Sequence, residues 1–590
     1  MTGGARRFYR RLALVSAAVV VAIHVPPFVF GRYVNVDEAY ASALAERLEE
    51  GFRLYQGAIS QRGPLMYYLF ELFAAVAHWD NVRALRVVSL FFALAHLGLV
   101  WTVGRRLLGE GVAAVAVLVS AYTITLGMFP YDGMALNGEH MQLPFILGAV
   151  LLGGLAMRLP RGSPGRRWRL LGSGLLYGGA IAIKQSVLFM PFPLLLWLAI
   201  DAFRRRRWAA AAVDGAVCLL GVVLPGAAFL VHAGLDGTLA NLWFYCVTFN
   251  LHVHRAGSGR FADWFNPLYE HLRDHTAYFF LVAVAVASVG IRWGRRVALA
   301  VRSRRAAALV SGFSPEDYVG LSALVALVMA ALLPQHFGHY YVVPTPLLAL
   351  TAASVARRAL RPHRVDGALR LVLAAAAAFF AVYGGVFVYQ TVDGDGLLTH
   401  DPLVLSTASY IERTTAPDDK IFIWGFSPWL YEYSHRRPAG RYLFETYVTG
   451  FVPWIWRDLP HEAARVVPGS MEGLLGDLDR ERPVLVADAG SIMMARPMLA
   501  YPAAATWLRA KYCFEARIGA VDLYRRRDGA ACATPYFPCP HPPRGHSGEP
   551  IACQMPPIVD TGPSGILGPG PPDQPKGFAP GEKPWGCPPP

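Results

Sequence analysis

Eleven apolar segments, most of them long enough for a helix to cross a membrane, dominate the first two thirds of this 590-residue chain. They lie near residues 12–30, 84–103, 111–129, 139–157, 170–184, 187–203, 209–232, 276–292, 317–333, 340–356 and 367–389. The stretch 170–203 is too long for one helix, so we divide it at the polar sequence Lys184-Gln185-Ser186. Hydrophobic residues make up 54% of the chain and charged residues 16%, which indicates an α-helical integral membrane protein.

The positive charge is unevenly distributed between the two sides of these segments. The segments on the side of the N-terminus carry 25 Lys and Arg residues, whereas those on the other side carry nine. This asymmetry predicts a cytoplasmic N-terminus and an extracytoplasmic C-terminus, and it makes the net charge of +14 a topology signal. We therefore expect contact with membrane lipid and no nucleic-acid partner. Arginine greatly outnumbers lysine, which suggests a bacterial genome and hence the bacterial cytoplasmic (inner) membrane.

The chain divides into three parts by composition. Residues 1–389 form the predicted membrane domain, whose largest outward loop is 31–83. Residues 390–528 contain turn signals and short apolar runs, including 421–424 and 484–487, which predict buried strands of a small extracytoplasmic α/β domain. The tail, residues 529–590, is rich in Pro and Gly, and we expect it to be disordered.

Cysteines are concentrated near the end of the chain. Cys513 precedes the tail, and four more lie within it. An extracytoplasmic location permits disulfide bonds there, and the spacing is not typical of a zinc site. Cys218 and Cys246 are predicted to be ordinary residues of apolar surroundings.

An acidic pair, Asp37-Glu38, follows the first apolar segment. Asn35 is a suitable N-cap, apolar residues then recur every four positions, and Gly51 ends the pattern, which predicts an amphipathic helix at the outer membrane surface. One interpretation is structural: Glu38 closes a capping box with Asn35, and both acids favour the positive helix end. The other is that Asp37 is a general base for an incoming hydroxyl.

The outward loop resembles that of the C-type membrane glycosyltransferases of the protein-mannosyltransferase and lipid A aminoarabinose-transferase kind. Those proteins carry an acidic pair, a G-x-x-x-Y stretch and a K-P-P-L-x-Y stretch in this order, and the chain matches with Asp37-Glu38, 51–55 and 62–67. It departs from the pattern in having Arg62 for lysine and Gly63 for the first proline. Further segments that resemble the family are 131–140, 178–185, 339–344 and 424–431.

The resemblance implies a site on the outward face. Asp37 and Glu38 would be catalytic. The donor phosphate would be bound by Arg62, Lys184, His339 and Tyr340. Substrate would also be bound by Asp132, Asn137 and Glu139. Each has a structural alternative: Lys184 could extend its amine to the interface, and Asp132 and Glu139 could be helix-start acids.

The implied activity is transfer of a hexosyl or pentosyl group from a polyprenyl-phosphate-linked donor to an acceptor hydroxyl, with inversion. The acceptor stays open among protein, lipid and glycan. We expect no cofactor, although His336 and His339 together with Glu139 could bind a divalent metal instead of forming part of an aromatic belt. The alternative function is a polytopic transporter or lipid flippase, but no internal repeat is evident, and the polar clusters gather on one face.

Overall fold

A computed structural model describes residues 3–31, 35–77, 82–127, 130–251, 275–304, 312–333, 337–359, 366–393, 402–452, 462–490, 496–529 and 532. The membrane part is helical, and each of the eleven predicted spans coincides with a helix within these ranges. These helices are α1 (Gly3–Val29), α4 (Val82–Val103), α5 (Glu110–Thr125), α7 (Gly138–Ala156), α8 (Pro164–Ile183), α9 (Phe192–Arg205), α10 (Trp208–Leu235), α12 (Thr276–Ser303), α13 (Pro315–Ala331), α14 (Thr345–Ala359) and α15 (Asp366–Asp393).

By length and composition, seven helical segments among the described residues could span a membrane, and four further apolar helices are shorter. The division of 170–203 is confirmed, because α8 ends at Ile183, Lys184 is extended, and a short 3-10 turn precedes α9. Four short helices complete the membrane part. They are α2 (Val36–Glu49), α3 (Pro64–Ala77), α6 (Pro130–Gly133) and α11 (Leu239–Trp243).

The extramembrane part is an α/β unit, as the sequence predicts. Its five strands are β1 (Lys420–Trp424), β2 (Arg437–Pro438), β3 (Leu485–Asp488), β4 (Tyr512–Ile518) and β5 (Val521–Arg526). They form one sheet in the order β2-β1-β3-β5-β4, in which β1 is parallel to β2 and β3 while β5 is antiparallel to β3 and β4. The predicted strands 421–424 and 484–487 correspond to β1 and β3.

Six helices accompany this sheet. They are α16 (Pro402–Thr414), α17 (Trp429–Ser434), α18 (Thr446–Thr449), α19 (Glu462–Arg465), α20 (Ser470–Glu481) and α21 (Pro502–Lys511). Cys513 on β4 forms a disulfide with Cys532, whereas Cys218 and Cys246 are free and buried. The predicted tail lies outside the described residues, apart from its first residue and Cys532.

Helix α2 differs from the expected surface helix. Ten of its 14 residues are buried, from Glu38 through Leu48, so it does not lie with one face exposed at the membrane boundary. The extramembrane unit covers it, because residues of the outward loop and of the sheet share one apolar cluster. The predicted N-cap is confirmed: the side chain of Asn35 accepts a hydrogen bond from the backbone N–H of Asp37 at 2.8 Å.

Glu38, the acid of the possible capping box, has partners in the membrane part. Its carboxylate pairs with Arg86 of α4 at 2.6 Å and accepts a hydrogen bond from the backbone N–H of Leu136 at 2.6 Å. The side chains of Glu38 and Arg86 are 0% and 3% exposed. This buried pair therefore attaches the start of α2 to the membrane helices.

We expect Glu38→Ala to destabilise the protein by about 3–5 kcal/mol, because it leaves the charge of Arg86 buried without its partner. The double variant Glu38→Ala/Arg86→Met should recover most of the loss, since it removes both charges. Thermal unfolding of the purified protein in detergent measures these changes in stability. Glu110→Ala is the control, because Glu110 pairs with the exposed Arg10. Equal stability of the Glu38 and Glu110 variants would contradict the assignment.

Candidate active site

The side chain of Asp37 stands at the first turn of α2, where the helix start favours a negative charge. Its Oδ2 atom is 2.6 Å from Nη2 of Arg62, and both side chains are 14% exposed. Asn35 donates a hydrogen bond from Nδ2 to Oδ1 of Asp132 at 2.7 Å. The cap of α2 therefore also fixes a second carboxylate beside the first.

His339 lies between these two carboxylates. Its Nε2 is 3.8 Å from Oδ2 of Asp37, and its Nδ1 is 3.4 Å from Oδ1 of Asp132. Burial alone would lower the pKa of His339, but Glu139 and Asp132 outweigh that effect and raise the pKa above 6.5. The surrounding carboxylates therefore favour the protonated form of the imidazole.

A second ion pair adjoins the first. Lys184, directly after α8, pairs with Glu139 in the first turn of α7, and its amine lies 4.6 Å from the ring centroid of Tyr340. Gln142 donates hydrogen bonds to the carbonyl oxygens of Ala180 and Lys184 at 2.7 and 2.6 Å, which holds the end of α8 against α7. The predicted residues Lys184, Glu139 and Tyr340 thus meet in one place.

Arg62 is held by its own backbone. Its N–H donates to the hydroxyl of Ser60 at 3.2 Å, and its carbonyl accepts a hydrogen bond from the hydroxyl of Tyr55 at 2.8 Å. A Cβ on Gly63 would lie 2.1 Å from the carbonyl oxygen of Ala182, so only glycine permits this approach of the loop to the end of α8. The departure from the family's proline therefore has a steric reason. The charged side chains that meet here are called the pocket below; they are Asp37, Arg62, Asp132, Glu139, Lys184 and His339.

The charges of the pocket act on one another. Burial would raise the pKa of Asp37, but Arg62, His339 and Lys184 together lower it to about 2. Nη1 of Arg62 is buried, and no hydrogen-bond partner for it is found among the described residues. Among the described residues, the guanidinium therefore contacts Asp37 through Nη2.

Two of the predicted residues position others. Asn137 is the N-cap of α7 and accepts a hydrogen bond from the N–H of His140 at 3.1 Å. Glu38 binds Arg86 and the backbone of Leu136, as described above, so its carboxylate is occupied outside the pocket. The geometry favours a structural role for both.

Two features of the site were not predicted from the sequence: Arg86 and the second contact of Asn35. A signal for Arg86 was present: it is an ionisable residue in the apolar segment 84–103, where a charge needs a partner. Nothing in the sequence marks the contact of Asn35 with Asp132, which is 97 residues away.

We find no group of three His, Cys, Asp or Glu side chains arranged to hold a metal ion within the part of the chain that the structure describes. His336, the third member of the hypothetical metal set with His339 and Glu139, lies outside the described residues. The described geometry instead uses His339 and Glu139 in contacts with charged neighbours.

Comparison with known proteins gives a family match and a fold match. Residues 61–232 match the family model described as dolichyl-phosphate-mannose-protein mannosyltransferase. No curated protein matches the chain. The structure is similar to ArnT from Cupriavidus metallidurans bound to undecaprenyl phosphate, with 15% sequence identity, a TM-score of 0.54, and coverage of 88% of this chain and 98% of that chain.

The apo state of the same ArnT gives 16% identity, a TM-score of 0.54, and coverage of 87% of this chain and 97% of that chain. At these identities the structural similarity shows the fold alone. The family match includes Arg62, Lys184, Glu139 and Asp132 but begins after Asp37. The resemblance predicted from the outward loop is confirmed, and the chain has the fold of the C-type membrane glycosyltransferases.

Proposed function

We propose that this protein is an inverting glycosyltransferase that moves a hexosyl or pentosyl group from a polyprenyl-phosphate-linked donor to an acceptor hydroxyl at the outer membrane face. The observation that carries the proposal is one pocket that combines the carboxylate of Asp37 with two cations, Arg62 and Lys184. Transfer needs a base that takes the proton of the acceptor hydroxyl, and it needs cations that stabilise the departing phosphate. The acceptor is a protein, a lipid or a glycan.

The location of the pocket supports a lipid-linked donor. Arg62 precedes α3, and Lys184 connects α8 to α9, so both stand where apolar helices end. A lipid carrier whose chain lies in the bilayer would present its phosphate at that level. ArnT, which is similar in fold, has been observed with undecaprenyl phosphate. With the N-terminus cytoplasmic, this end of the helices faces the extracytoplasmic side.

The reaction step needs a proton acceptor and charge compensation. The acceptor oxygen attacks the anomeric carbon while its proton passes to Asp37, and the bond between that carbon and the phosphate oxygen breaks. The electron pair of the broken bond leaves with the polyprenyl phosphate. Arg62 and Lys184 would stabilise its added negative charge, and cations already in position do this without reorganisation. Attack opposite the leaving phosphate inverts the anomeric configuration.

The contact between Arg62 and Asp37 links donor binding to base strength. In the resting pocket Arg62 helps to lower the pKa of Asp37 to about 2, which makes the carboxylate a weak base. A donor phosphate would compete for the same guanidinium and would weaken its hold on Asp37. The pKa of Asp37 would then rise, so the base becomes stronger only after the donor has bound.

A transporter is the alternative from another class. It would also place charged residues near the membrane boundary, but its substrate site would lie near the midplane, between broken helices. Here the ion pairs of the pocket lie at one end of the helices. The paired carboxylate and cations are also what a transfer step requires.

We expect Asp37→Asn to leave folding and abundance intact while reducing transfer by about two to four powers of ten, because the general base is lost. Mass spectrometry of cell-envelope glycans and glycoproteins, with and without the protein, identifies the product. The product should reappear when the wild-type gene is restored and should stay absent with Asp37→Asn. Asp236→Asn is the control, because Asp236 lies at the same end of the helices and outside the pocket. If the Asp37→Asn variant formed half or more of the normal amount of product, the role of Asp37 as the general base would be refuted.

The raised pKa of His339 predicts a loss of transfer activity at alkaline pH. Its pKa is raised above 6.5, so the cation persists to a higher pH than in an ordinary histidine and is lost as the pH rises through the pKa of the folded protein. The groups that face it are Asp37, Asp132, Glu139 and Lys184. Transfer rates measured from pH 6 to 10 should therefore fall on the alkaline side. The His339→Asn variant should transfer sugar more slowly, and its rate should not fall at alkaline pH. An unchanged alkaline fall in this variant would show that another group causes it.

A further inference from the structure

Helix α2 connects the pocket to the extramembrane unit. It carries Asp37 in its first turn and Arg47 in its last turn. They are ten positions apart in the helix, which corresponds to a rise of about 15 Å. The start of α2 therefore belongs to the pocket, whereas its end contacts the extramembrane unit.

Arg47 fastens the far end of α2. Its side chain is 1% exposed, and its Nη1 and Nη2 atoms each donate to a carboxylate oxygen of Glu481 at 2.9 Å. Nη1 also donates to the carbonyl of Pro438, and Nε donates to the carbonyl of Gly57, both at 2.8 Å. A buried guanidinium with a two-pronged carboxylate contact is among the strongest and most directional polar contacts.

Glu481 belongs to the extramembrane unit. It is the last residue of α20 and also accepts hydrogen bonds from the N–H of Gly440 at 3.2 Å and from Lys420 at 3.3 Å. Lys420 in turn donates to Glu50, which directly follows α2, at 2.7 Å. The end of α2 is thus joined to β1, β2 and α20 through one charged network.

The middle and the start of α2 also contact the extramembrane unit. The rings of Tyr40 and Phe444 stack with their centroids 4.0 Å apart. Val36, next to the proposed base, packs against the cluster of Phe426 and Phe451. Since α2 is a short continuous helix, a shift at Arg47 is transmitted along it to Asp37.

We propose that Arg47 and Glu481 are positioning residues for the transfer reaction, through which the extramembrane α/β unit holds Asp37 in register with Arg62 and His339. This inference rests on the proposed function for its catalytic part. Its structural part, the transmission of constraint along α2, stands independently. The extramembrane unit is accordingly a component of the active site.

The test uses the full-length protein with Glu481→Gln, which keeps the shape of the side chain and removes its charge. Glu472→Gln is the matched control, because Glu472 is exposed on the same helix. Arg47→Lys is a second variant that keeps the charge and loses the two-pronged contact. If Glu481→Gln does not fold, Arg47→Lys carries the test. Hydrogen–deuterium exchange of residues 36–49 and transfer kinetics are measured for each.

We expect faster exchange in Glu481→Gln along the whole of α2, including its start, and no change in Glu472→Gln. The kcat should fall about ten- to hundredfold with little change in the donor KM, since a displacement of about 1 Å can have this effect. Exchange that rises only near Arg47, or a loss of rate no larger than the loss of folded protein, would overturn the inference. Changed exchange with no transfer in the wild type would reject the proposed function and keep the mechanical link.

Discussion

The contact between Asp37 and Arg62 is the interaction on which the pocket depends. A single buried charge is costly, and an ion pair is tolerated there only with good geometry and further hydrogen bonds. The geometry of this pair is good, because its atoms are 2.6 Å apart, and the charged side chains of His339, Lys184 and Glu139 lie around it. In the proposed function, a phosphate would replace a carboxylate as the partner of Arg62, so that this cation keeps a counter-charge.

The membrane imposes the second constraint, which is the separation of charge to the two ends of the helices. At the end opposite the pocket, Arg166 pairs with Asp214 at 2.7 Å, and Arg296 pairs with Asp317 at 2.6 Å. Charged groups in lipid are costly, so these pairs lie at helix ends and between helices. The apolar stretches between the two ends separate the pocket from these pairs, and in the proposed function a lipid-linked donor would reach it at its own end of the helices.

The sequence predicted the helices and strands well because each depends on local patterns: apolar length for the spans, a capping residue for α2 and short apolar runs for β1 and β3. It could not predict contacts between distant segments. Arg47 and Glu481 are 434 residues apart, and Glu38 and Leu136 are 98 apart, so no local pattern indicates that they meet. The burial of α2 was missed for the same reason, because the unit that covers it begins about 350 residues later in the chain. The residues of the pocket were predicted from a family resemblance, whereas the distances and contacts between them are known only from the structure.

In the proposed mechanism, Asp37 activates a hydroxyl for direct attack opposite a departing phosphate. The anomeric configuration of the transferred sugar tests this step, and it can be determined by nuclear magnetic resonance after transfer from a polyprenyl-phosphate donor of known configuration. We expect a product whose configuration is opposite to that of the donor. Retention of the donor's configuration would mean that the hydroxyl does not replace the phosphate by a single attack from the opposite face, and it would contradict the role assigned to Asp37.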